Sequence, residues 1–235
     1  GTFTAGAAIN AGGNWTNNGG TFIPGTGTVT FNSAAAQAIN GTAVTQTFNS
    51  ITVNKSAGAL SVGGSTTTLA LNANLDVTAG TFSVTGITMT VTGTTSVTGT
   101  LTHATSALGT KTYVGTVTIN SGGVWTNPIN EAITFQGGLI HDGATFTSGT
   151  GIYTFDTNPQ NIGGASAITI TNLTVTSPAV LTNTNTNVAG VTVSTALAGT
   201  GEFANSASTL LNITGTSAIT TLTASANANT VNYPG

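Results

Sequence analysis

Apart from tyrosines and termini, nine side chains in this sequence can take part in proton or metal chemistry. They are Lys55, Asp76, His103, Lys111, Glu131, His141, Asp142, Asp156 and Glu202. Glu131, His141, Asp142 and Asp156 fall in one stretch. Carboxylates beside an imidazole can hold a cation or act as an acid/base pair. The competing expectation is that these four hydrate an inserted loop. There is no Cys, so disulfides and thiolate metal sites are excluded. The Gly-rich segments precede no helical pattern, which removes a phosphate loop. No G-G-x-G-x-D calcium repeat occurs. The expectation is therefore a chain with no catalytic, cofactor-binding or metal-binding residues, and no cofactor.

Composition narrows the classes further. Charged residues make up 3% of the chain, against roughly a quarter in an ordinary soluble domain. Two lysines without arginine cannot supply the phosphate contacts that nucleic-acid binding needs, nor a polybasic membrane anchor. No apolar run approaches the roughly 20 residues of a membrane span. The strict Gly period of collagen is absent. Disordered chains are poor in β-branched residues and rich in charge, whereas here Thr fills nearly a quarter of the positions. Low charge with abundant hydroxyl and amide groups suits a secreted or surface protein. Gly1 is not an initiator Met, and no charged segment followed by an apolar one opens the chain, so a mature or excised segment is expected.

The elements that would position these residues read as strands throughout. Apolar residues alternate with Thr, Ser or Asn in 26–31 (TGTVTF), 50–53 (SITV), 81–84 (TFSV), 88–92 (TMTVT), 112–120 (TYVGTVTIN), 151–155 (GIYTF), 167–176 (AITITNLTVT) and 190–194 (GVTVS). That is the period-2 signal of a strand. Branched Cβ atoms in Thr and Val favour the pleat. Residues 34–39 (AAAQAI) are too short to hold a helix alone. An all-β chain is expected.

The chain also repeats. Residues 8–17 read AINAGGNWTN and residues 118–127 read TINSGGVWTN, identical at seven of ten positions, including the only two tryptophans. After a gap, Thr21-Phe22 pairs with Thr145-Phe146, Thr30-Phe31 with Thr154-Phe155, and Gln37, Ile39 and Gly41 with Gln160, Ile162 and Gly164. Phe82 then falls opposite Phe203, and Tyr113 opposite Tyr233. Two tandem units are expected, 1–115 and 116–235. The second carries an extra coil or loop near 128–142 and departs from the pattern at Asn158-Pro159.

Short strands every 8–12 residues suit either a parallel β-helix (a β-solenoid) or tandem β-sandwiches. Near-absence of charge favours the solenoid, whose faces can carry ladders of Thr, Ser and Asn. The inward residues expected in the first unit are Ile9, Ile39, Ile51, Val53, Leu60, Leu69, Leu71, Leu75, Val77, Phe82 and Val84. In the second they are Ile119, Phe155, Ile162, Ile170, Leu173, Val175, Leu181, Val193, Phe203 and Ile213. The run G-x-W-T-N-x-G-G-T-F, then G-T-G-T-V-T-F, Q-x-I-x-G and F-N-x-I-T-V-N-K-S-A-G, covers most of 13–60 and returns, weaker, in 123–180. It resembles the Thr/Gly/Asn-rich repeat regions of large bacterial surface exoproteins, adhesin-like and filamentous-haemagglutinin-like. The resemblance implies an extracellular structural or adhesive stalk.

The functional expectation is thus a non-catalytic solenoid serving as filament subunit or adhesin stalk. Uncapped solenoid ends expose edges and core. Copies of the chain, or further repeats of a longer chain, are therefore expected to stack head to tail through Gly1, Thr2, Phe3, Val231, Tyr233 and Gly235. The alternative is a binding module. Thr-x-Thr recurs at 26–30, 88–92, 98–102, 116–118 and 184–186, though at no fixed spacing, and a flat Thr/Asn face can meet ice or a glycan.

Overall fold

The computed structural model describes residues 1–103, 109–157 and 159–233. Among the described residues every regular element is a strand and none is a helix. The strands are parallel and stack as a β-solenoid of about 10 turns, and tandem sandwiches are set aside. One turn lays down three strands, for example Thr95–Val97, Thr100–Thr102 and Thr110–Tyr113. The next turn places Val117–Ile119, Val124–Thr126 and Ala132–Phe135 directly on them. Three faces result. The pairing Val97↔Ile119 crosses the boundary between the two sequence units without a break. Turn length varies from 19 residues (Phe82 to Leu101) to 24 (Ile51 to Leu75). Longer strands such as Ser50–Val62 and Val191–Asn205 run round corners and serve more than one face.

Alternation builds the core. Thr28–Phe31, Thr68–Leu71 and Thr88–Val91 each bury every second residue, with Thr or Ala turned outward and the apolar partner inward. On the third face Phe48, Leu71, Val91, Tyr113, Phe135, Phe155 and Val175 stack in register over successive turns. All are buried. The inward residues expected from the sequence are likewise buried, except Ile9, which is half-buried against the core's edge. Gly41 and Gly164, opposite each other in the repeat, turn corners at φ 116° and 113°. A Cβ there would lie 2.1 Å from the Asn17 carbonyl oxygen and 2.2 Å from that of His141.

The insertion near 128–142 is neither a loose loop nor a whole coil. It contributes two strands, Ala132–Phe135 and Leu139–His141. Two strands fill two of three faces, so the repeat resumes one face round. Before the insertion, Ala8–Ala11 and its counterpart Val117–Ile119 share a face. After it, Thr30-Phe31 lies on the first face and its counterpart Thr154-Phe155 on the third. The shift is tolerated because each face asks for the same alternation of apolar and hydroxyl side chains. Asn158 lies outside the described residues.

Candidate functional site: a polar cluster inside the solenoid

Strand alternation carries polar groups inward at one level of the core. In Thr110–Tyr113, Lys111 and Tyr113 both face inward. Lys111 occupies a column of core side chains, with Met89 on one side and Ile133 on the other. Its Nζ contacts Glu131 Oε1, and both side chains are fully buried. The Nζ also donates to the Ile87 carbonyl. Glu131 immediately precedes Ala132–Phe135, and its backbone carbonyl accepts from Asn127 Nδ2 at 2.8 Å. Among the described residues, Glu131 Oε2 and Asn127 Oδ1 are buried without a hydrogen-bond partner.

Around this pair lies an aromatic shell. His103 Nδ1 meets the Thr126 carbonyl at 3.1 Å, so it carries the proton, and Nε2 accepts from the Tyr113 hydroxyl at 2.7 Å. The His103 and Trp125 rings lie 4.1 Å apart between centroids. Trp125 Nε1 and Asn127 Nδ2 each donate to the Tyr153 hydroxyl at 3.2 Å. Electrostatics follow from dryness. Burial pushes the His103 pKa down to about 3, so the ring is neutral. Burial lowers Lys111 and raises Glu131, although their contact opposes both shifts. It also raises Tyr113 and Tyr153.

The four residues Glu131, His141, Asp142 and Asp156 do not converge. Glu131 is buried against Lys111, not hydrating a loop. His141 faces the core from the first face, next in register to Ile119. Its Nδ1 accepts from the Gly143 amide at 3.3 Å, and burial lowers its pKa against the opposing pull of Asp142. Asp142 caps the next turn, accepting from the Ala165 amide at 2.7 Å. Asp156 accepts from Gln136 at 3.4 Å. Among the described residues, no three His, Asp or Glu side chains group to hold a metal ion. The other lysine, Lys55, is also buried and donates to Ser33 O, Ala35 O and Gln37 Oε1 at 2.6–2.9 Å.

Five of the six residues expected to stack head to tail lie at the two ends of the solenoid. Gly1, Thr2 and Phe3 line a groove with Trp15 and Phe22, and the Phe3 ring lies 5.6 Å from Phe22 and 6.3 Å from Trp15. Phe3 remains 53% exposed. At the other end Val231 pairs with Leu211, and Tyr233 is 54% exposed. Gly235 lies outside the described residues.

Along the sides, Thr aligns more regularly than its sequence spacing implies. Thr90, Thr112, Thr134, Thr154 and Thr174 occupy one outward column over five successive turns. Thr45, Thr68 and Thr88 form a second column beside it. No family model matches the chain, and neither the curated proteins nor the solved structures contain a match.

Proposed function

We propose that the chain is a non-catalytic structural element, a stiff extracellular solenoid that serves as filament subunit or adhesin stalk and continues axially through identical rungs. The contrast between ends and sides carries this reading. The flanks present hydroxyl ladders interrupted by exposed Val44, Ile152 and Val188, and their strands are paired above and below, while the terminal rungs leave strand edges unpaired among the described residues and expose Phe3, Leu222 and Tyr233. Open edges and apolar tips recruit further strands. A head-to-tail contact between unlike ends propagates into an open filament. The burial of Lys55, His103, Lys111, Glu131 and His141 away from solvent supports the non-catalytic part of the reading. The Thr/Gly/Asn-rich repeat and its likeness to bacterial surface proteins support the location.

The aligned Thr columns favour a second reading, a flat hydroxyl face that binds ice or a glycan. Sedimentation velocity across a concentration series separates the two. Axial stacking is expected to give a ladder of growing species, collapsed to monomer by Phe3→Lys with Tyr233→Lys. A monomer at every concentration overturns the stacking. Thermal hysteresis or glycan retention from that monomer establishes the second reading in its place.

A further inference from the structure

The Lys111–Glu131 pair is poorly suited to be a permanent ion pair. Taking two charges out of water costs more than their attraction returns unless further hydrogen bonds satisfy them. Here Glu131 Oε2 has no partner among the described residues, and both side chains are fully buried. An amine and a carboxylic acid are the cheaper occupants of such a site.

The geometry also fits a reaction between them. Lys111 Nζ is held on one side by the Ile87 carbonyl and lies against the carboxyl group on the other. Lys111 and Ile133 are register partners on adjacent turns, and Glu131 enters two residues before Ile133. The two groups therefore meet only when those turns stack. Holding two reactive groups together inside a folded core raises their effective molarity, which reaches roughly 10⁵–10⁸ M in well-oriented cases. Both side chains are wholly shielded from solvent, so water is excluded from the product.

We propose that Lys111 and Glu131 condense to an intramolecular amide that staples two adjacent turns of the solenoid. The neutral Nζ attacks Glu131 Cδ, an Nζ–Cδ bond forms, and the bond from Cδ to the hydroxyl oxygen, Oε2, breaks. That hydroxyl leaves with one proton from the amine as a single water, and no oxidant, reductant or further reactant is required. The amide nitrogen keeps one proton for the Ile87 carbonyl. Burial supports the step by favouring both neutral forms, since it lowers the lysine and raises the acid. The bond does not depend on axial stacking, because both partners belong to the core of one chain.

Intact-mass spectrometry of the folded, full chain tests it, followed by fragment mapping after digestion with a protease that cuts at aromatic residues. The expected result is a mass one water below that of the sequence, with peptides bearing Lys111 and Glu131 joined. Lys111→Met, whose unbranched apolar side chain suits a column between Met89 and Ile133, is expected to restore the full mass. A folded wild-type chain at full sequence mass overturns the proposal. So does a water deficit that persists in Lys111→Met. A deficit of one ammonia mapped to Lys111 and Asn127 also overturns it, by assigning the acyl partner to the amide.

Discussion

His103 shows what a dry polar cluster does to a single residue. Its ring is held between the Thr126 carbonyl and the Tyr113 hydroxyl, an arrangement that the neutral tautomer with the proton on Nδ1 satisfies. In the unfolded chain the imidazole takes a proton with an ordinary pKa near 6.5, whereas the folded ring resists until about 3. The unfolded state therefore binds more protons between these values, and stability falls as the pH drops through that window. The full loss is on the order of a few kcal/mol. His141 contributes with the same sign and Glu131 with the opposite one, so a difference between proteins isolates His103. Denaturant melts are expected to show wild type losing stability more steeply than His103→Gln between pH 6.5 and pH 4, and parallel curves contradict the assignment. The alternation read from the sequence begins at residue 112 and assigns Lys111 no side, although Lys111 alternates with Thr110 and Thr112. The inward position of Glu131 was not legible either, because it lies just before its strand, where period-2 reading assigns no side. Charge alone pointed it outward.

At the scale of the strand, the all-β character was readable from alternation. The three-faced turn was not. Turn lengths drift between 19 and 24 residues, and the length changes sit at corners, so no fixed period marks a turn in the sequence. The same drift hid the Thr columns. It also disguised the insertion, whose two strands rotate the later repeat by one face instead of adding a coil. Corners are where this architecture tolerates least. Gly164 combines a left-handed φ with a backbone oxygen 2.2 Å from the place of an added Cβ, so strain and overlap act together. Gly164→Ala is expected to cost about 2 kcal/mol or more. Gly12→Ala, with nothing within 4 Å, is expected to stay within about 0.5 kcal/mol. Thermal melts of the two variants check this, and equal midpoints refute the corner argument.

For the whole molecule, about 10 turns at about 4.8 Å each give a rod about 50 Å long. Its sides carry hydroxyl ladders beside scattered exposed apolar residues such as Val188, and its core stacks aliphatic and aromatic side chains around a few buried polar groups. Phe3 beside Trp15 and Phe22 forms one tip, and Leu222 with Tyr233 exposes apolar surface at the other. Continuation by like rungs would cover both and pair the open edges. Electron cryomicroscopy of the concentrated chain tests this most directly. The expected images show filaments whose strand spacing of about 4.8 Å runs unbroken across each junction between copies, with Phe3 covered. Separate rods about 50 Å long, with both tips in solvent at every concentration, would contradict it.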